Sequence, residues 1–571
     1  MTFNPRIVSP HGQRGDCFDT VRMGARAAVV SNHPVATSVG ITILANGGNA
    51  VDAAVAVGFA IGVAEPNGSG IGGDGYLMVH HAASRSVHVV NGTGASPLAA
   101  RPEHGLDRFG IRSASVPGMV DAMLEAHARW GRLSLMDCIA PAIALCLDGV
   151  PVSYFQADMT RKYDRLHSDP EAAKIFAPNG HPLKAGAIRR NADLAQTYRQ
   201  IATHGRDYFY NGPVADAIDR FSAAANGLLR REDMARHRVR VEAPITTTYR
   251  GKHVYEAGPN SSGHLLLQQL SMLEQFDIGA MDYLSPEAVH LMVEAKRLAY
   301  IDREAFLSDP DDTDIPLAGL LSKSYAAERA ALIRPDAAAA SVAPGDPWQH
   351  DASSAAARQA PSSFKVLNAR EDTTHFCVVD SDGNAVSQLQ SLNMMFGSQA
   401  VVPGTGIILN NRMTYWHLDP SHPNYLRPGA RTRHTMNPVM VFDDRAESGG
   451  PLRWVLGTPG GDTQVQTNFQ VISALVDHGL NEAEAAQAPR WCHEQDGTYS
   501  NHPHAVDEQL TIEQRYGDTS LVEGLAARGH DVEGIGAWKA RGSLAIIGVD
   551  PESGARLAAV DLRRDGQAQA M

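Results

Sequence analysis

Several features are missing from this chain of 571 residues, and each omission removes a class of function. No tract of clustered Lys or Arg occurs, and the formal net charge is −13. Nucleic acid and anionic membrane both reward clustered positive charge, so neither is expected as a partner. The opening residues, MTFNPRIVSPHGQRGDCF, lack the apolar core of a secretory signal, and the expected location is cytoplasmic. Five cysteines, Cys17, Cys138, Cys146, Cys377 and Cys492, are odd in number, scattered and without C-x-x-C spacing. That pattern fits neither a disulfide framework nor a zinc site, and it reads as inert thiols. There is no G-x-x-x-x-G-K-[ST] phosphate loop, no G-x-S-x-G elbow and, among 24 histidines, no H-E-x-x-H. No cofactor or metal is expected. The pairs His417/His422 and His502/His504 lie in Pro-rich loops and read as solvated surface.

What is present begins with an Ala-rich segment, 34–64, which reads as two buried helices broken at Gly47-Gly48. The 117–149 stretch reads as helical. The 285–306 segment has a Ser285 cap, Pro286 in the first turn and apolar or small residues on one face, which predicts an amphipathic helix. GSGIGGDG, residues 68–75, contains G-x-G-x-x-G as Gly68, Gly70 and Gly73. Here a helix precedes and the strand YLMVHH follows, the reverse of a dinucleotide fingerprint, so the loop reads as a tight turn between layers. Residues 335–363 are rich in Ala, Pro and Ser and read as a mobile linker. After them the pattern changes to period two. THFCVVD and AVSQLQS flank Ser381-Asp382-Gly383-Asn384, predicting a hairpin, and LAIIGV with ARLAAV predict another near the end. GTPGGDTQ, residues 457–464, is a glycine turn whose Gly460-Gly461 pair can present backbone N–H groups to a developing oxyanion.

TTHFCVVDSDGNAV, SLNMMFGS, GIILNNRM and GTPGGDTQ, in that order, resemble the small subunit of the gamma-glutamyltranspeptidases, which are self-processing N-terminal nucleophile hydrolases. SVPGMV, SSGHLLLQQLSMLEQFD and AYIDREAFLSDPD, together with the segment around the 68–75 loop, resemble the large subunit, and the likeness runs from about residue 27 to 563. The resemblance implies an α+β fold, a four-layer αββα sandwich, made of a large subunit 1–372 and a small subunit 373–571 from one precursor. It implies that the Thr373 hydroxyl attacks the carbonyl of Asp372 and that the ester formed is hydrolysed. Thr373 then carries an α-amine, whose ordinary pKa of about 7.7–8.0 suits it to serve as base for its own hydroxyl. Ser391 stands where the family has a threonine bonded to the nucleophile, Asn393 matches a substrate-contacting asparagine, and Gly460 and Gly461 match the oxyanion pair. The implied partner is a small-molecule amide, and pairing of two processed heterodimers is left open.

The likeness fails at the acyl clamp. The family holds the glutamyl carboxylate with an arginine where this chain has Thr93, in NGTGASP, and the α-amine with an aspartate where it has Tyr415. The family's tandem serines become His434-Thr435. Loss of one partner of a buried ion pair costs about 3–5 kcal/mol, so both losses together should cripple recognition of a zwitterionic head. Arg412 and Arg433 are candidate replacements for an acidic group. The expected activity is therefore an amidohydrolase or acyltransferase of gamma-glutamyl-type amides. The alternatives are a hydrolase of another small acyl amide, as the relatives acting on oxamate or cephalosporin side chains suggest, and a non-catalytic binding relative.

Overall fold

The computed structural model describes residues 19–351, 371–444, 450–515 and 517–571. Two seven-stranded sheets form its centre, and each mixes strands from both sides of residue 372. The strands before it are β1 (Arg22–Gly24), β2 (Ala28–Ser31), β3 (Asp74–His81), β4 (Ser86–Asn91), β5 (Arg240–Glu242), β6 (Ile245–Tyr249) and β7 (Lys252–Glu256). Those that follow are β8 (Glu371–Val379), β9 (Ala385–Met394), β10 (Val439–Asp443), β11 (Leu452–Gly457), β12 (Ala545–Val549), β13 (Arg556–Val560) and β14 (Gln567–Ala570). One sheet runs β14-β2-β8-β9-β3-β4-β5, the other β1-β13-β12-β11-β10-β7-β6.

The sheets pack face to face through Tyr76, Met78, Cys377, Val379 and Leu389 on one side and Met440, Val455 and Ile547 on the other. Helices α1 (Pro34–Ala45), α2 (Ala50–Ala64), α3 (Met119–Trp130) and α4 (Leu135–Asp148) belong to the core outside the first sheet. Helices α5 (Gly263–Leu273), α6 (Pro286–Phe306) and α7 (Thr463–Val476) belong to the core outside the second. The result is the αββα sandwich expected. No helix among the described residues is long and apolar enough to cross a membrane.

The local signals account for these elements. Ser285 caps α6 by accepting the Ala288 N–H, and every residue of α2 is buried, as its small side chains permit. β8 and β9 pair antiparallel with Val379 opposite Ala385, and β12 and β13 pair likewise. The 117–149 segment is two helices rather than one. Asp52 Oδ1 accepts the N–H groups of Arg132 and Leu133, at 2.9 and 3.2 Å, which fixes the turn between them. The first part of the expected linker also differs. Residues 335–351 are irregular but for a 3₁₀ turn at Pro347–His350, yet tied to the body: the N–H groups of Ala338, Ala339 and Gly345 donate to Arg528 O, Glu294 Oε2 and Asp302 Oδ1 at 2.7, 3.0 and 3.0 Å. The rest of that stretch, from 352, lies outside the described residues. Cys138, Cys146, Cys377 and Cys492 are unpaired and buried.

Candidate active site

β8 and β9 are in regular register from Thr374 onward, but the register shifts between Asp372 and Thr374, so Thr373 at the strand head stands opposite a bulge in β9 formed by Ser391 and Leu392. A bulge disrupts the ladder locally and re-aims the side chains of the strand that carries the extra residue, here β9 at Ser391. Thr373 Oγ1 lies 2.7 Å from the Asp372 carbonyl oxygen and 3.1 Å from Ser391 Oγ. Ser391 Oγ donates to the same Asp372 oxygen at 2.9 Å and accepts the Asn393 N–H at 2.8 Å. Two hydroxyls thus meet one carbonyl oxygen, an arrangement that polarises the 372–373 peptide. Asn393 has φ +84, a left-handed conformation rare outside glycine, and its Nδ2 is held by Asn411 O, Thr414 Oγ1 and Asn501 Oδ1. Its Oδ1 is buried without a hydrogen bond among the described residues.

The 68–75 loop folds over this junction. A Cβ on Gly73 would stand 2.2 Å from Ser391 O, and one on Gly68 would stand 3.2 Å from Thr373 O. Gly73→Ala should therefore push against the backbone that carries Ser391 and destabilise the protein by about 1–3 kcal/mol, measurable as a lowered thermal midpoint.

Gly460 and Gly461, with φ +128 and +57, form the turn between β11 and α7. Their connection to Asn393 runs through neighbours: Ser500 Oγ donates to Asp462 Oδ1 at 2.8 Å, and the adjacent Asn501 holds Asn393. With its amide oxygen and nitrogen exchanged, the orientation that satisfies both, the Gln464 side chain accepts the Gly461 N–H at 3.3 Å and donates to Thr435 O at 3.2 Å. Sequence reasoning did not single out Gln464, whose side chain in that orientation takes the Gly461 N–H.

The acyl-clamp positions lie beside Ser391. Asp74 is its direct cross-strand partner, so their side chains share the face between the sheets. Asp74 is fully buried, with His434 Nε2 at 3.1 Å and Arg412 Nε at 3.6 Å from its Oδ2. Neither Asp74 oxygen, neither His434 nitrogen, nor Nε or Nη2 of Arg412 has a hydrogen bond of acceptable geometry among the described residues. Burial, then the charge of Arg412, pulls the pKa of His434 down to about 4, so it is neutral at pH 7. Arg412 stacks over the Tyr415 ring at 4.6 Å, and the Tyr415 hydroxyl meets Thr435 Oγ1 at 3.0 Å. Thr93 Oγ1 donates to Asn91 Oδ1 at 2.7 Å. Arg433 pairs with Glu304 Oε2 through Nη1 at 2.6 Å, while its Nε and Nη2, like those of Arg412, have no hydrogen bond among the described residues. Asp74 is the charged group of this cluster that sequence reasoning missed, although it sits inside the glycine loop already noted.

The histidine pairs also depart from expectation. His417, His422 and His504 are buried and stacked, with ring centroids 3.4 Å apart for His417 and His422 and 3.5 Å for His417 and His504; His502 alone is exposed. Glu304, His417 and His422 present donor atoms within 4.8 Å of one another. They do not suit a metal. Arg433 already donates to Glu304 Oε2, and His422 Nδ1 accepts the Asn424 N–H at 3.0 Å, which leaves its proton on the nitrogen facing Glu304. Burial favours the neutral acid of Glu304, but Arg433 and Arg303 outweigh it and hold the carboxyl well below the usual range.

The four-layer αββα sandwich, with Thr373 at the head of a central strand, is the architecture of the N-terminal nucleophile hydrolase class. The Gamma-glutamyltranspeptidase family profile matches residues 36–571, and the chain belongs to that family. It is 35% identical over 554 residues to the glutathione hydrolase-like YwrD proenzyme of Bacillus subtilis, covering 96% of this chain and 98% of that one. It is 33% identical to the acylase ACY 1 proenzyme of Pseudomonas sp. (strain SE83), covering 99% and 97%. The crystal structure of a cephalosporin acylase from Bacillus halodurans superposes with a TM-score of 0.85 at 32% identity, covering 100% of this chain and 99% of that one. Relatives known as proenzymes and acylases make this chain a member of a family of self-processing amidohydrolases.

Proposed function

We propose that the protein cuts itself between Asp372 and Thr373 and then hydrolyses small acyl amides through an ester on Thr373. The observation that carries this reading is the meeting of Thr373 Oγ1 and Ser391 Oγ on the Asp372 carbonyl oxygen, at 2.7 and 2.9 Å. In the first reaction Oγ1 adds to the Asp372 carbonyl carbon while Ser391 donates to the oxygen that gains charge. The C–N bond breaks, the nitrogen takes the hydroxyl proton, and water hydrolyses the resulting ester to a carboxylate and a free Thr373. In the second reaction the new α-amine takes the Oγ1 proton. The oxygen attacks the substrate carbonyl, the amine product leaves, and water releases the acid. Gly460 and Gly461 are assigned to the oxyanion, with Gln464 giving up the Gly461 N–H as substrate enters. Asn393, Tyr415, His434 and Thr435 are assigned to the substrate wall.

For the acyl group we favour a small carboxylated acid over the zwitterionic glutamyl head. Thr93 and Tyr415 are engaged with Asn91 and Thr435, and neither carries the charge of the family clamp. Among the described residues Arg412 Nε and Nη2 have no hydrogen bond, and with Asp74 no nearer than 3.6 Å a substrate carboxylate would compete with it for that edge, the geometry that receives a carboxylate in a fork. A second reading has its own support: Asp74 and Arg412, buried and of opposite sign, could rebuild a zwitterion clamp from new positions. A substrate panel separates them. The mature enzyme should turn over small carboxylated amides such as oxamate faster than a gamma-glutamyl anilide or glutathione. Glutathione turnover with kcat/KM near 10⁴ M⁻¹s⁻¹, roughly the low end of the usual enzyme range, would overturn the first reading and favour the second.

A further inference from the structure

Glu65 stands at the C-terminal end of α2 and reaches the scissile junction from the side away from Ser391. Its Oε2 accepts the Thr374 hydroxyl at 2.7 Å, one residue past the nucleophile. Its Oε1 lies 3.7 Å from Arg564 Nη1. In the continuous chain that guanidinium is taken: Arg564 Nη1 pairs with Asp372 Oδ1 at 2.6 Å and reaches Thr373 O at 3.4 Å. Asn67 Nδ2 holds the other Asp372 oxygen at 2.9 Å. Two carboxyl groups therefore flank one arginine, and only one of them, Asp372, has it at hydrogen-bond distance. Asp372 is also the residue that self-cleavage detaches from Thr373.

We propose that Glu65 is a positioning residue for the mature enzyme, taking over Arg564 when Asp372 is cut away and so keeping the guanidinium against the carbonyl of Thr373. The proposal rests on self-cleavage at Asp372–Thr373. The charged and titratable groups facing Glu65 are Arg564, Asp372 and Asp565. Burial first, with Arg564 opposing and Asp372 reinforcing it, raises the Glu65 carboxyl to about 8, so in the uncut chain it is neutral at pH 7. Hydrolysis leaves Asp372 its side-chain carboxylate and adds an α-carboxylate, so it is the withdrawal of this new chain end from Arg564, with the new Thr373 ammonium, that favours the charged form. Both changes lower the Glu65 pKa, and its proton passes to water. Arg564 thus has a carboxylate partner on either side of the cut, and the buried guanidinium is never left alone.

Glu65→Gln keeps an acceptor for Thr374 but cannot ionise. This variant is expected to self-cleave and to yield a small chain beginning at Thr373, read by intact mass. Its kcat should fall by about 10- to 10²-fold with little change in KM, the scale set by a nucleophile held slightly out of line. In the wild-type enzyme kcat should rise with pH as Glu65 ionises, and that limb should be absent from the variant. A Glu65→Gln enzyme that matures with wild-type kcat and pH profile overturns the proposal, and so does one that cannot cut itself, since Glu65 would then act before the cut. Should Glu65→Gln mature in low yield, its kcat is compared with those of Arg564→Gln and the double variant. Coupling predicts a double variant no slower than the worse single one, and additive losses overturn the proposal. Failure of the wild-type chain to produce a terminus at Thr373 would instead remove the self-processing reading, whatever Glu65 does.

Discussion

Thr373→Ala is expected to stay a single uncut chain under conditions in which the wild type separates into a chain ending at Asp372 and one beginning at Thr373. The substitution removes the one oxygen placed at 2.7 Å from the Asp372 carbonyl oxygen as nucleophile. Nothing else in the junction should be displaced: Ser391 Oγ still donates to that carbonyl, and Arg564 and Asn67 still hold the Asp372 side chain. Uncatalysed peptide hydrolysis is slow enough that the effect should be all or none, and denaturing gel electrophoresis with intact mass reads it directly. The same variant should hydrolyse no amide. Cleavage at 372 in Thr373→Ala would move the nucleophile elsewhere and take the proposed mechanism with it.

Ser391→Ala should lower kcat of the fully processed enzyme by about 10²-fold or more, with a smaller change in KM. The hydroxyl sits 3.1 Å from Thr373 Oγ1 and also anchors the Asn393 N–H, so its loss frees both the nucleophile and the strained φ +84 residue beside it. Self-cleavage should slow as well, because the carbonyl of Asp372 loses one of its two hydroxyl contacts. Steady-state rates on material shown by mass to be completely cut separate the two effects. An unchanged kcat in such material would exclude Ser391 from the chemistry.

Much of the frame was legible because its signals are local. The Ser285 cap, the Gly47-Gly48 break and the Asp382-Gly383 turn each specify backbone conformation within a few residues, and the elements appear where those residues put them. Motif order singled out Thr373 and Ser391, and the fold brings their hydroxyls within 3.1 Å. What stayed hidden depends on contacts hundreds of residues apart. Glu65 meets Thr374 across 309 positions, and Asp74 joins Ser391 only through sheet register. The three stacked imidazoles could not be read from Pro-rich loops, since irregular backbone leaves no period from which burial can be inferred. The 335–351 segment misled for the opposite reason: its composition is that of a linker, while its order comes from the acceptors Glu294, Asp302 and the Arg528 carbonyl on other elements.

The alternation of strands from the two sides of residue 372 gives the peptide bond there an unusual place in the life of the protein. β8 lies between β2 and β9, and β2 lies between β14 and β8, so neither product chain can complete a sheet without threading between strands of the other. While the chain is whole, finding that arrangement is a first-order search. After the cut, any molecule that unfolds faces a second-order encounter between two incomplete partners, each exposing the apolar edges the other should cover. Assembly is therefore easy once and hard thereafter. Given the proposed cut, the mature enzyme would persist through its barrier to unfolding rather than through an equilibrium it can revisit, and its working lifetime would be a rate.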